Sequence, residues 1–288
     1  MAKPASRTRR FRTPAGLTLV GDLVGDPRHP AVILLHGGGQ TRHSWDEAAR
    51  RLASAGYHVV NYDARGHGES DWAPDGDYGL PALSADLMTV LATVETPAVL
   101  VGASMGGITA FYAAGSHKAP IARALVLVDI VLRPSSAGVE RIQAFMRAHD
   151  DGFASLDDAA DAVSRYNPDR PRPRDPGGLR KNLRLRDDGR LYWHWDPRLL
   201  DTEPSAEPPS FSEELVAVSG GVTVPTLLMR GSRSDMVDNA GTAEMAALVP
   251  QLEIFDVAGA GHMVAGDRND NFVAGILAYL GRVHPPRT

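Results

Sequence analysis

The segment Gly102-Ala103-Ser104-Met105-Gly106 carries the strongest structural signal in the chain. It follows the apolar run Ala98-Val99-Leu100-Val101, which is typical of a short buried strand. It precedes residues 107–114, whose small and apolar side chains predict a helix. A serine between two glycines at a strand-to-helix turn holds its hydroxyl out at the edge of a sheet. We therefore take Ser104 as a candidate nucleophile, although the motif alone leaves a glycine-rich turn without chemistry open.

Strand and helix signals alternate around this segment. Apolar runs predict further strands, including residues 31–35, 57–62, 125–129 and 226–229, and helical spacing predicts helices at 44–55, 84–94 and 271–280. This alternation predicts an α/β fold, with a mostly parallel central sheet flanked by helices. Residues 133–211 contain helix-like pieces without a buried-strand signal. We interpret them as a helical cap, inserted after the sixth core strand between core residues 1–132 and 212–288.

Length and composition limit the classes of protein. The chain has 288 residues, a formal net charge of -5 and no cysteine, which excludes disulfides, thiolate metal sites and a cysteine nucleophile. Its basic N-terminus lacks the apolar core of a signal peptide, and no apolar run approaches the roughly 20 residues of a membrane span. We expect a cytoplasmic protein without a nucleic-acid or membrane partner. The sequence leaves its oligomeric state open.

A serine hydroxyl needs a base to take its proton and an acid to orient that base. The candidate base is His262, in a glycine-containing loop between the last predicted strand and the last helix. The favoured acid is Asp235, which follows the strand at residues 226–229, and the order Ser104, Asp235, His262 is the one expected on an α/β sheet. Asp129 is the alternative acid, because it ends the strand before the cap.

The developing negative charge of a tetrahedral intermediate needs preorganised donors. We expect the backbone amide of Met105 to be one donor and that of Gly38 to be the other, with Gly39 as second choice for the latter. His36 is expected to support this glycine loop by hydrogen bonding. The segment from Asp63 to Ser70 is interpreted as a tight loop braced by its charged residues, with His67 as part of the same scaffold.

Together, residues 36–39, 63–70, 102–107, 231–235 and 261–262 resemble the α/β-hydrolase fold family. The resemblance is greatest to its capped branch of esterases, cofactor-free haloperoxidases and carbon–carbon bond hydrolases. It implies hydrolysis of a carboxylic ester or related acyl bond through an acyl-enzyme, without metal or organic cofactor. Ser104 stands where the epoxide hydrolases and haloalkane dehalogenases of this branch have aspartate. Gly39 stands where perhydrolase-like members usually have proline. Both departures favour acyl hydrolysis.

The substrate is expected to be a small to medium ester or acyl compound. The cap has aromatic residues that would either line an apolar pocket or form the cap's own core: Phe145, Phe153, Tyr166, Trp193 and Trp195. Its basic run over residues 165–190 would either recognise an anionic substrate or form a solvated surface. Three alternative functions stay open: hydrolysis of a carbon–carbon bond in a vinylogous diketone acid, acyl thioester hydrolysis, and ligand binding without catalysis.

Overall fold

The computed structural model describes residues 4–94, 97–168, 172–201, 211–262 and 269–286. Its strands are β1 (Ser6–Arg12), β2 (Thr18–Val24), β3 (Ala31–Leu35), β4 (His58–Tyr62), β5 (Ala98–Ala103), β6 (Ala122–Val128), β7 (Leu183–Leu185), β8 (Leu191–Trp193), β9 (Thr226–Gly231) and β10 (Leu252–Val257). Its helices are α1 (Asp46–Ser54), α2 (Leu80–Leu91), α3 (Met105–Ser116), α4 (Ser136–Arg147), α5 (Leu156–Tyr166), α6 (Phe211–Val218), α7 (Asn239–Leu248) and α8 (Asn269–Val283).

An eight-stranded sheet forms the centre of the molecule, in the order β1-β2-β4-β3-β5-β6-β9-β10. Strands β1 and β2 are antiparallel, and the six strands from β4 to β10 in this order run parallel. The central strand β3 is buried throughout, as is typical of a parallel sheet that is covered on both faces. The predicted fold class is confirmed.

The two faces of the sheet carry separate cores because side chains alternate along a strand. On β3, Ile33 and Leu35 pack with the cluster that includes residues of α2, α3 and α7. Val32 and Leu34 pack on the opposite face, with residues of α1 and α8. No helix in the described part of the chain combines the length and apolar character that a bilayer crossing requires.

The cap lies between β6 and β9, and its described part has a third, smaller apolar cluster around Met146, Phe153, Trp193 and Trp195. It contains α4, α5 and a two-stranded antiparallel sheet of β7 and β8. Sequence reasoning missed these strands because each has only three residues. The predicted end of the cap at residue 211 follows residues 202–210, which lie outside the described part.

Candidate active site

The nucleophile turn lies between β5 and α3. Ser104 has φ 46° and ψ −119°, a conformation that L-residues rarely adopt. Its amide donates a hydrogen bond to the carbonyl of Val128, 3.1 Å away at the end of the neighbouring strand β6. A methyl group on Gly102 would overlap the carbonyl of Gly106, and one on Gly106 would overlap the carbonyl of Leu35. The two glycines of the motif are therefore required by the close approach of the backbone.

The histidine after β10 is held by the aspartate after β6. His262 Nδ1 lies 2.7 Å from Asp129 Oδ2, and the Asp129 side chain is 1% exposed. Asp129 has φ 52°, so its backbone also lies in the left-handed region. Strands β5, β6, β9 and β10 are neighbours and run parallel, which brings the residues that follow them to one edge of the sheet.

The Asp129 carboxylate has two further hydrogen bonds, one from the last residue of β9 and one from the turn that follows. The amide of Gly231 donates to Oδ1 at 2.9 Å, and the hydroxyl of Ser234 donates to Oδ2 at 2.6 Å. The Ser234 hydroxyl itself accepts hydrogen bonds from the amides of Met236 and Val237. Sequence reasoning did not identify Ser234, because nothing in the sequence indicates which side chain of this turn points inward.

The structure does not bring the favoured acid candidate, Asp235, to His262. The carboxylate of Asp235 binds Arg141 of α4 at 2.8 Å, and its side chain is 42% exposed. The turn after β9 directs the neighbouring Ser234 towards the site and Asp235 towards the cap. Of the two candidates, the acid beside His262 is thus Asp129, the alternative that ends the preceding strand.

The two predicted oxyanion donors lie side by side. A Cβ atom built on Gly38 would lie 3.9 Å from the Cβ of Met105, which is the first residue of α3. Within the described residues, neither amide has a hydrogen-bond acceptor. The amide of Gly39, the second choice, is occupied because it donates to His67 Nε2 at 3.1 Å. This arrangement favours Gly38 over Gly39 as the donor.

We define residues 36–40 as the oxyanion loop and residues 63–70 as the β4 loop. His36 donates through Nδ1 to the carbonyl of Gly37 at 2.9 Å and accepts from the amide of Ala64 at the same distance. It thus joins the two loops, as expected. Burial lowers the pKa of both His36 and His67, well below the ordinary value for the latter. Both rings therefore stay neutral at neutral pH.

The charged residues of the β4 loop brace it, also as expected. Asp63 accepts hydrogen bonds from the amides of Arg42 and Glu69 and forms an ion pair with the Arg42 guanidinium. Arg65 forms a two-point ion pair with Asp86 of α2. These carboxylates and guanidiniums are used structurally, so the loop offers no second acid for the proposed base.

A family model described as alpha/beta hydrolase fold matches residues 30–268. The chain belongs to the alpha/beta hydrolase fold family. Members of this family generally use a serine nucleophile.

Individual members of the family resemble the chain over most of its length. It is 29% identical over 252 residues to the 3-hydroxybutyrate-oligomer hydrolase of Cupriavidus necator, covering 83% of this chain and 84% of that protein. It is 30% identical over 246 residues to the esterase Rv0045c of Mycobacterium tuberculosis, covering 83% and 78%. The crystal structure of an alpha/beta hydrolase from Novosphingobium aromaticivorans superposes with a TM-score of 0.80 at 26% identity, covering 98% of this chain and 100% of that one. These comparisons place the chain among hydrolases.

The cap of this alpha/beta hydrolase packs its aromatic residues mainly against one another. The rings of Phe145 and Tyr166 stack at 4.2 Å, and those of Trp193 and Trp195 at 4.9 Å, measured between centroids. The Trp195 ring also covers the oxyanion loop, since a Cβ atom on Gly39 would lie 3.4 Å from it. Most of this cluster is therefore the cap's own core, and Trp195 is the member that contacts the loop.

The basic run of the cap is largely engaged in local contacts. Arg172 binds Asp157 and Asp161, and Lys181 binds Asp46 at 3.0 Å. Two further arginines cover aromatic rings: Arg184 over Trp72 and Arg186 over Tyr192. These contacts support the interpretation of the run as a solvated surface.

Proposed function

We propose that this chain is a serine hydrolase that cleaves a carboxylic ester of a small to medium organic substrate through an acyl-enzyme. The observation that carries the proposal is the 2.7 Å contact between His262 and Asp129, at the sheet edge where the strained turn presents Ser104. Because Nδ1 of His262 faces a buried carboxylate, the ring is oriented with Nε2 as the atom that accepts a proton. The ester hydrolases among its relatives support the choice of substrate class.

In the proposed acylation, Ser104 Oγ attacks the carbonyl carbon and its proton passes to His262 Nε2. The amides of Gly38 and Met105 stabilise the oxyanion. The carbon–oxygen bond to the leaving group then breaks, and His262 gives its proton to the departing oxygen, which leaves as an alcohol. Asp129 remains ionised and stabilises the imidazolium.

In the deacylation, a water molecule gives a proton to His262 and attacks the acyl carbon. The second tetrahedral intermediate forms at the same two amides. Its collapse breaks the bond to Ser104, which regains the proton from His262, and a carboxylic acid is released. These steps use protein groups and water, and they need no metal or organic cofactor.

A fluorophosphonate probe and a panel of p-nitrophenyl acetate and butyrate test the proposal. Mass spectrometry is expected to locate the adduct on Ser104, and Ser104→Ala is expected to lower kcat by about 10³-fold or more. Turnover that survives Ser104→Ala would refute the proposed nucleophile. A dienoate-type diketone acid and an acyl thioester, assayed beside the esters, test the two alternative reactions. Ligand binding without Ser104-dependent turnover would support the third alternative, a protein that binds a ligand without catalysis.

A further inference from the structure

His194 is a cap residue whose ring lies between two loops of the core. It follows β8 directly, and it is 2% exposed. Its ring centroid lies 5.7 Å from that of His67, which is itself 5.0 Å from the ring of His36. Three imidazoles thus form a row: His36 of the oxyanion loop, His67 of the β4 loop and His194 of the cap.

The hydrogen bonds of His194 connect the β4 loop to the oxyanion loop. The amide of Gly68 donates to Nδ1 at 2.7 Å, which makes Nδ1 the unprotonated nitrogen. Nε2 therefore carries the proton and faces the carbonyl of Gly39 at 3.4 Å. Burial, followed by the proximity of His36, lowers the pKa of His194 to about 3, so this pattern of donor and acceptor persists at neutral pH.

The oxyanion loop needs such external support because it has three glycines in succession, Gly37, Gly38 and Gly39. Glycine has the greatest conformational freedom of any residue, and Gly39 has φ +70°. Gly37 is held on both sides, since its carbonyl accepts from His36 and its amide donates to Gln40 Oε1. Gly39 is held by the other two imidazoles, through its amide by His67 and through its carbonyl by His194.

The cap segment that carries His194 is firmly attached to the core. The amide of Asp196 donates to the carbonyl of Gly66 at 2.9 Å, and the hydroxyl of Tyr78 donates to the Asp196 carboxylate at 2.5 Å. The neighbouring Trp195 lies against Gly39. The imidazole therefore meets the loop from a fixed position.

We propose that His194 is a positioning residue of the active site, which holds the Gly39 carbonyl so that the neighbouring Gly38 amide points at the oxyanion. The inference rests on the proposed function. His194 acts through the loop and contacts neither the substrate nor the reacting atoms. The cap would then contribute to transition-state stabilisation, beyond covering the site.

Two substitutions test this role. His194→Phe fills the space without a hydrogen bond, and it is expected to lower kcat about 10- to 100-fold, less than the loss of a whole oxyanion donor, with KM within about twofold. His194→Gln provides both an amide donor and a carbonyl acceptor, and it is expected to recover most of kcat. A trifluoromethyl ketone forms a tetrahedral adduct whose oxygen occupies the donor site. Its affinity is expected to fall in His194→Phe by the same factor as kcat.

Arg133→Gln is the matched control, because it removes an ion pair between the first residue of the predicted cap and Glu244 of α7. Within the described residues, Arg133 has no hydrogen bond to His194 or to the oxyanion loop, so kcat and ketone affinity are expected to stay unchanged. The inference is overturned if His194→Phe keeps the kcat and ketone affinity of the parent, or if Arg133→Gln reduces both as much as His194→Phe does. If His194→Phe does not fold, His194→Gln takes its place in the test. The inference is then overturned if His194→Gln has the parent's kcat but binds the ketone ten times more weakly, because the proposed role requires the two to change together. Turnover that persists in Ser104→Ala overturns the proposed function and this inference together, whereas Ser104-dependent turnover that ignores His194 overturns the inference alone.

Discussion

Two residues of the proposed triad have left-handed backbone conformations. A non-glycine residue in this region costs on the order of 1–3 kcal/mol, and it persists only where its surroundings hold it. The amide of Ser104 donates to Val128, and that of Asp129 donates to the carbonyl of Met229 at 2.8 Å. Each strained residue is thus hydrogen-bonded to the next strand in the sheet. The strain is located at the two positions where a side chain must be directed out of the sheet edge.

The choice between the two acids gives a direct test at this scale. Asp129→Asn is expected to lower kcat by about 10³- to 10⁴-fold, because an amide at this position favours the wrong imidazole tautomer. Asp235→Asn is expected to leave kcat within about threefold, because Asp235 binds Arg141 at a half-exposed position. Steady-state kinetics on p-nitrophenyl butyrate compare the two, with thermal unfolding as a check on folding. A large loss in Asp235→Asn with little loss in Asp129→Asn would contradict the assignment.

Sequence reasoning expected both candidate acids at one edge of the sheet and favoured Asp235, whereas the structure has Asp129 beside His262. Asp129 and Asp235 both follow parallel strands at the same edge, so position after a strand does not distinguish them. What separates them is the backbone conformation at Asp129 and the direction of the Ser234 side chain. Neither is encoded in residue type or spacing, because both depend on contacts between turns that are distant in the chain.

At the scale of elements, the strand-turn-helix unit around Ser104 followed from local sequence alone. Apolar β-branched residues, two glycines and a helix of small residues all indicate the same structure. Other elements were harder to predict. Strand β1 was missed because it is exposed apart from Phe11. Helix α2 begins at Leu80, before its predicted start at residue 84, because Pro81 suits the first turn of a helix.

The packing of α3 on β3 predicts the effect of a single methyl group. Gly106→Ala would place a Cβ atom against the carbonyls of Leu35 and His36, where the strand meets the oxyanion loop. It is expected to lower the free energy of unfolding by about 3 kcal/mol and to reduce kcat, since backbone atoms cannot move aside as a side chain does. Urea unfolding and steady-state kinetics measure the two effects.

Gly220→Ala is the control for this substitution. A Cβ atom there meets nothing within 4 Å, and its φ is not in the left-handed region. Its free energy of unfolding is expected to be unchanged within about 0.5 kcal/mol, or slightly higher through the reduced entropy of the unfolded chain. Equal destabilisation by the two alanines would show that helix and loop are not packed as described.

At the scale of the whole molecule, the junction of cap and core makes stability depend on pH. The folded pKa values of His36, His67 and His194 lie below the ordinary value of 6.5, because burial disfavours the charged ring. Between the folded and unfolded values, the unfolded chain binds more protons, so the free energy of unfolding rises with pH. The stability contributed by neutral rings is present above pH 6.5 and is lost as the pH falls below it.

The contribution of His194 to this pH dependence can be isolated by comparison with His194→Gln, because the glutamine amide does not titrate. The folded pKa of His194 is about 3, so the ring takes up a proton in the unfolded chain but not in the folded protein when the pH falls from 7 to 5. This difference is expected to lower the free energy of unfolding of the parent by about 2 kcal/mol. Other titrating groups are common to both proteins, so their contributions cancel in the difference. Urea unfolding at the two pH values is therefore expected to show a loss that is smaller by about 2 kcal/mol in His194→Gln than in the parent. Equal losses would mean that the imidazole is protonated in the folded protein at pH 5. Its hydrogen bonds do not allow this, since Nδ1 accepts a hydrogen bond from the amide of Gly68 and cannot carry a proton at the same time.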